Sequence, residues 1–327
     1  MEMSRRLILQ ASPGLFLAGA AAGQGAAWRP DGPVTLVVPS RPAGATDLLG
    51  QVLAPMLAAA LSQRVERRNV PGEAGVVAAD HVARSRPDGL ALLLAPIGIF
   101  AFNPHFFRRS GTDPLTDLVP IGLVGTSPMV LLASRHSGIA DLSQLRARAH
   151  AGMLTVGSGS CSSAMHMGAV LLMMALGSAG DLIALPGDTH TRDLLQAGLI
   201  DVVVDHAATA LPAIHLGVRP LAVTGATRLP MVAAVPTAAE AGLPTFDLSV
   251  WHVLAAPRGT PPEITQALAA ALDVGLEDDM LAERFATHAV LLPPVAERGP
   301  AAAAGLIARE HERWGRIIRA AGIEGEG

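Results

Sequence analysis

Two short segments carry the residue types that could hold a ligand. The first is Pro39-Ser40-Arg41-Pro42-Ala43-Gly44-Ala45-Thr46-Asp47, which leads from a β-rich run into a helical pattern. The first amides of a helix have no partner within it and carry partial positive charge, so a carboxylate or phosphate is stabilised there. Thr46 or Asp47 is suited to cap that helix, and Arg41 could add a charge-assisted hydrogen bond to an anion. The same residues would also serve a plain strand-to-helix turn with a solvated arginine.

The second segment is Gly157-Ser158-Gly159-Ser160-Cys161-Ser162-Ser163-Ala164-Met165-His166. Glycine lets a ligand approach the backbone, and the hydroxyls of Ser158, Ser160, Ser162 and Ser163 add donors. The segment lacks the third glycine of a dinucleotide-binding fingerprint and is not Gly-x-Ser-x-Gly. Cys161 with His166 could form a thiol nucleophile and base, but no third orienting group is evident. His166 could instead be a hydrogen-bonded histidine on a buried helix face. The remaining histidines, His206 and His252 among them, are scattered and form no metal-binding spacing. Asp205 closes an apolar run, at a strand end, where a carboxylate can hold a loop together or orient a ligand. Cys161 is the single cysteine, which excludes an internal disulfide and any Cys-x-x-Cys site.

The elements that would carry these loops alternate. Val34–Val38, Val65–Asn69, Leu90–Ala95, Val119–Val124, Met129–Ala133, Leu154–Gly157, Val202–Asp205 and Ser249–Ala256 read as strands. Helical patterns lie between them, at Asp47–Leu61 (with Pro55 inside, where a kink is expected), Val76–Arg84, Asp141–Ala149, Ser163–Leu176 and Thr209–Leu216. Three more close the chain, at Pro261–Val274, Asp278–Ala286 and Ala301–Ala321. Alternation of this kind predicts an α/β fold of mainly parallel sheets flanked by helices. It divides into two lobes, 28–123 plus 246–327 and 124–245, joined by two thin connections. Ligands in such sheets bind at the carboxyl ends of strands, so the cleft between the lobes is the expected site.

Composition removes several kinds of chemistry. The 327 residues are 50% hydrophobic and 16% charged, enough apolar material for a large core and against disorder. All basic residues are arginine. Without lysine the chain cannot form a Schiff base with pyridoxal phosphate or supply a P-loop lysine. A net charge of −4 speaks against nucleic acid as a partner. Residues 1–27 place Arg5-Arg6 before a short apolar run, with Gly25-Ala26-Ala27 offering small residues to a signal peptidase. Export to the periplasm by a general secretory or a twin-arginine route is expected, with cleavage near Ala27. No later stretch is long enough to span a bilayer.

The ordered landmarks of the chain resemble the Bug family, the periplasmic solute receptors of tripartite tricarboxylate transporters. They are Val34–Pro39 with Gly44 and Thr46-Asp47, Asn69-Val70-Pro71-Gly72 with Gly75, Pro87-Asp88-Gly89 and Asn103-Pro104. Gly157-Ser158 through His166, Asp205, Ala210-Leu211-Pro212 and Leu221–Gly225 follow, then Val235-Pro236-Thr237, Trp251, Gly259-Thr260-Pro261 and Trp314. The resemblance extends from Pro33 to Ile323. It implies a two-lobed, hinged, non-enzymatic binding protein that needs no cofactor. Such a protein closes on a small carboxylate and presents it to membrane permease subunits; a monomer is expected.

In this chain the candidate ligand-binding residues are Arg41, which is unusual at its place in the family, with Ala43, Gly44, Ala45, Thr46 and Asp47 in the first loop, and Ile97 and Gly98 after the third strand. Ser158, Ser160, Ser162, Ser163 and His166 follow in the second loop, with Asp205 beside them. Several positions depart from the family pattern. Ala43-Gly44 replaces Gly-Gly, Ser40 replaces an aromatic, Pro96-Ile97-Gly98-Ile99 replaces a polar stretch, Ser160-Cys161-Ser162 replaces Gly-Asn-Gly, and Leu185-Pro186-Gly187 replaces aromatic-Lys-Gly. These changes predict a monocarboxylate or semi-apolar acid rather than citrate. Two other functions would use the same loops: a periplasmic sensor acting through a receptor partner, and a hydrolase built on Ser160, Cys161 or His166.

Overall fold

The computed structural model describes residues 28–107, 111–177, 180–185 and 188–325. The expected export segment, and Pro186-Gly187 of the altered family motif, lie outside these residues.

Nine strands form the framework among the described residues: β1 (Val34–Val38), β2 (Val65–Asn69), β3 (Ala91–Pro96), β4 (Leu118–Ala133), β5 (Thr155–Ser158), β6 (Asp181–Ala184), β7 (Val202–His206), β8 (Arg219–Val223) and β9 (Ser249–Pro257). Their order is β2-β1-β3-β9-β4-β7-β5-β6, with β8 also on β4. The helices are α1 (Ala45–Leu61), α2 (Val76–Ala83), α3 (Asn103–Phe106), α4 (Pro114–Asp117), α5 (Leu142–His150), α6 (Ala164–Leu176), α7 (Asp188–Ala197), α8 (Ala207–His215), α9 (Pro262–Leu276), α10 (Asp279–Thr287) and α11 (Gly299–Ala321).

The two-residue period of the strands explains the layers. In β3, Leu92 and Leu94 face one apolar cluster with α1, α9 and α10, while Leu93 and Ala95 face another with α2 and α11. Both faces are covered, so β1 and β3 are apolar almost throughout. The edge strand β2 is different: Glu66, Arg67 and Arg68 are exposed, which blunts an edge that would otherwise pair with another chain. Each fully buried leucine of this kind contributes roughly 1.5–3 kcal/mol. Helix α6 is buried from Ala164 to Leu172, as its all-round apolar sequence predicts. It packs closely on β7 because Gly168 carries no side chain: a Cβ there would lie 2.7 Å from Cγ1 of Val204.

The parallel pairs expected from the alternation are the flanking ones, β1 with β2 and β3, and β5 with β6 and β7. The two strands between them, β4 and β9, run antiparallel to every neighbour. The expected strands 119–124 and 129–133 are in fact one strand. Leu118–Pro128 pairs with β9, and Met129–Ala133 pairs with β7 and β8. Gly125-Thr126-Ser127-Pro128, the stretch between the two expected strands, is held extended by tertiary partners. Thr126 exchanges backbone hydrogen bonds with Leu291 at 2.9 and 2.7 Å, and Ser127 Oγ donates to the carbonyl of Ala289. Thr224 ties the passing strands together: its Oγ1 accepts from Met129 N at 2.8 Å and donates to the carbonyl of Leu248. Helix α1 runs as a single element through Pro55.

Candidate ligand-binding site

Strands β1, β3, β5 and β7 all end toward the crossing strands, and the loops that follow them carry the expected site residues. The first turn of α1 is held open by a carboxylate that sequence reasoning assigned to the ligand. Gly44, in extended conformation, is the N-cap, and no side chain caps the helix. Neither Thr46 nor Asp47 takes that place. Asp47 is 1% exposed and fully engaged. Its Oδ2 accepts from Ala43 N at 2.8 Å and Gln51 Nε2 at 2.9 Å. Its Oδ1 accepts from Asn69 Nδ2 at 2.8 Å and pairs with Arg67. The carboxylate therefore braces the loop and has its charge matched by arginine. The brace also holds Ala43 at a φ of 65°, a backbone region that favours glycine. Ala43 is exposed, and Gly44 and Ala45 are half-buried at the helix start. Arg41 is exposed; its carbonyl accepts from Gly44 N at 3.2 Å, and its side chain has no hydrogen bond or ion pair among the described residues.

Thr46 is buried, and its Oγ1 lies 3.2 Å from Nε2 of His252 on β9. His252 is 3% exposed, and burial together with the like charge of His206 pushes its pKa down to about 3. His206 is half-buried at the end of β7 and N-caps α8. Nδ1 of His252, Nε1 of Trp251 and Oγ of Ser40 are enclosed and have no hydrogen-bond partner among the described residues. Trp251 stacks on Phe100 with ring centroids 6.5 Å apart. None of His206, Trp251 and His252 was singled out from sequence as a ligand residue. The usable clue was position: β9 starts beside the carboxyl end of β3, pairing His252 with Pro96.

The second loop folds on itself and against the segment after β3. Ser163 N-caps α6, its Oγ accepting from His166 N at 3.1 Å. Ser162 donates its amide to His166 Nδ1 at 3.2 Å and its hydroxyl to Asn103 Oδ1 at 2.5 Å. Asn103 in turn donates to the carbonyl of Ala74 at 3.2 Å. Because Ser162 N–H donates to Nδ1, the neutral ring carries its proton on Nε2. Burial pushes the His166 pKa down, and Phe106 meets the ring edge-on. Ser158 is buried at the end of β5, its hydroxyl turned to the carbonyl of Gly159, while Ser160 is exposed.

The thiol nucleophile is not assembled. The Nδ1 of His166 is occupied by Ser162, and burial raises rather than lowers the pKa of Cys161, an exposed residue whose sulfur is partly desolvated. Asp205 takes the role of holding a loop. It is fully buried, accepts from His206 N at 2.8 Å and Thr209 Oγ1 at 3.0 Å, and pairs with Arg192 at 3.3 Å. Ile97 is 1% exposed and packs into the core, whereas Gly98 lies against the second loop, where a Cβ would meet Ser162 O at 3.4 Å. The structure thus brings Gly98 together with Ser162, and Thr46 with His252. Asp47, Asp205 and Ile97 stand behind the loops. A separate cavity of about 510 Å³ lies beside Asn103, His105, Asp113 and His311, and no residue of the α1 first turn lines it.

The profile of the tripartite tricarboxylate transporter family receptor, TctC, matches residues 49–323. This chain belongs to that family. Protein BugT of Bordetella pertussis is 32% identical over 334 aligned residues, which cover 99% of each chain. MatC from Rhodopseudomonas palustris, solved with bound malate, superposes with a TM-score of 0.81 at 30% identity, covering 88% of this chain and 99% of that one. The periplasmic binding protein BugD gives a TM-score of 0.82 at 27% identity, covering 91% and 100% of the two chains. The TctC receptor is accordingly a solute-binding protein with the two-lobed α/β periplasmic binding fold. Its relatives are periplasmic, and among its described residues no helix is long and apolar enough to cross a membrane. No group of three or more His, Cys, Asp or Glu that could hold a metal is present among the described residues.

Proposed function

We propose that this TctC receptor captures a small carboxylate between its lobes and presents it to the permease subunits of a tripartite tricarboxylate transporter. One observation carries the reading: α1 begins at the carboxyl end of β1 with a glycine N-cap and, among the described residues, no side chain capping it, while the nearby Asp47 is neutralised by Arg67. A bound carboxylate would satisfy such a terminus, and the similar MatC was solved with a carboxylate, malate, bound.

The ligand in this reading is a monocarboxylate or a semi-apolar acid. The stacked Phe100 and Trp251 make the interior beside His252 apolar, and the Arg41 guanidinium is a cation at the first loop that no protein carboxylate engages among the described residues. Binding needs neither cofactor nor nucleophile, so the protein acts without turnover. The change of β4's partners between Pro128 and Met129 supports lobes dividing close to residues 124 and 246. The chain reaches the periplasm by cleavage near Ala27 and works as a monomer. The test is calorimetric titration of the mature, ligand-stripped protein with mono-, di- and tricarboxylates. Selective, saturable binding of one acid supports the reading, and no heat with any acid contradicts it.

A further inference from the structure

His252 is the buried polar group that the fold leaves half-satisfied. It is 3% exposed, its Nε2 meets Thr46 Oγ1 at 3.2 Å, and its Nδ1 is enclosed with no partner among the described residues. β9 sets it opposite Pro96 at the carboxyl end of β3 and opposite Gly125 of β4. The ring therefore stands at the α1 terminus, where the strand ends meet. An enclosed nitrogen without a partner carries its full desolvation cost, and a site that binds a polar ligand recovers it.

The charged groups around the ring decide what that ligand group can be. His206 acts on His252 as a like charge from β7. The carboxylates of the neighbouring loops are engaged elsewhere, Asp47 by Arg67 and Asn69, Asp205 by Arg192. Among the described residues no carboxylate pairs with the ring, so it stays neutral, with one donor and one acceptor nitrogen. When Nε2–H donates to Thr46 Oγ1, the Thr46 hydroxyl proton is free to point at an anion on the first turn of α1. Nδ1 is then an acceptor that only a donor can satisfy.

We propose that His252 selects hydroxy acids: the ligand carboxylate sits on the first turn of α1 and Thr46, and a ligand hydroxyl donates to Nδ1 of His252. This rests on the carboxylate site proposed above and names its substrate class. The hydrogen bonds close into a ring in which every donor finds an acceptor, an arrangement whose members strengthen one another. A plain alkyl acid leaves Nδ1 unpaired. A second carboxylate would face the nitrogen lone pair with no cation beside it.

The test is calorimetry on the mature protein with butyrate, 2-hydroxybutyrate, 3-hydroxybutyrate and succinate, for wild type, His252→Phe and Thr46→Val. The wild type is expected to bind one hydroxybutyrate on the order of tenfold tighter than butyrate. That ratio falls to near one in His252→Phe; if this variant does not fold, Thr46→Val, which breaks the ring from the other side, gives the same readout. Equal wild-type affinity for butyrate and both hydroxybutyrates overturns the proposal and leaves the carboxylate site standing. So does a preference that persists in the folded variants. Absence of binding by all carboxylates overturns the site itself.

Discussion

The hydroxyl of Ser162 donates to Oδ1 of Asn103 across 2.5 Å, joining the loop after β5 to the segment after β3. Both residues are buried, and Ser162 adopts a φ of 64° to reach its partner. Asn103 extends the link to Ala74, so three loops from the carboxyl ends of the strands meet at one asparagine.

Ser162→Ala leaves Asn103 Oδ1 without its donor and keeps the left-handed backbone. A loss of about 1–3 kcal/mol is expected, read as a lower midpoint in urea unfolding. Ser162→Gly loses the same bond but relaxes the backbone, so its loss is smaller. Equal losses in the two variants would show that the backbone of Ser162 stores no strain.

Asp47→Ala removes the acceptor of Ala43, Gln51 and Asn69 and leaves Arg67 unpaired. A cost of roughly 3 kcal/mol is expected, because a buried carboxylate with several partners is lost at once. Asn69→Ala removes one of those partners and costs about 1 kcal/mol. If Asp47→Ala unfolds at the wild-type denaturant concentration, the carboxylate is not the brace of this loop.

The Arg41 guanidinium is exposed and has no protein partner among the described residues. Arg41→Ala therefore changes stability by no more than about 0.5 kcal/mol. Against the captured acid it costs roughly 1.5–3 kcal/mol of affinity, as for a hydrogen bond to a charged group. Calorimetry separates the two effects, and an unchanged dissociation constant removes Arg41 from the site.

The buried histidine makes stability depend on pH. His252 titrates at about 3 in the folded chain against 6.5 as its ordinary value, so between these the unfolded chain binds more protons. Stability is therefore full above about pH 6.5 and declines as pH falls toward 3, by about 2 kcal/mol at pH 5 from this group alone. Burial lowers the pKa of His166 and His288 as well, with the same sign. Urea unfolding from pH 7 to pH 5 checks this, with His252→Gln showing a shallower slope. A slope equal to the wild type's would place the histidine effect elsewhere.

The sequence was most legible where pattern and burial agree. The period-two alternation of Leu92–Ala95 and the all-round apolar face of α6 marked buried elements. The continuity of β4 through Gly125–Pro128 was not legible, because the partners that hold this stretch extended, Leu291 and Ala289, lie far along the chain. At the site, Thr46 and the serine loop could be named from sequence, but their division of labour could not. Asp47 and Asp205 look like ligand carboxylates until Arg67 and Arg192 appear beside them. His252 is invisible to local pattern, since Thr46, which gives it meaning, lies 206 positions away.

The central claim, that the first turn of α1 receives a carboxylate, is tested most directly by thermal unfolding of the mature protein, stripped of ligand, across a panel of small acids. A selective upward shift of several degrees is expected, since a ligand at a hundred times its dissociation constant adds about 2.7 kcal/mol. The shift should shrink in Thr46→Val. A folded protein whose melting temperature does not move with any mono-, di- or tricarboxylate would contradict the account.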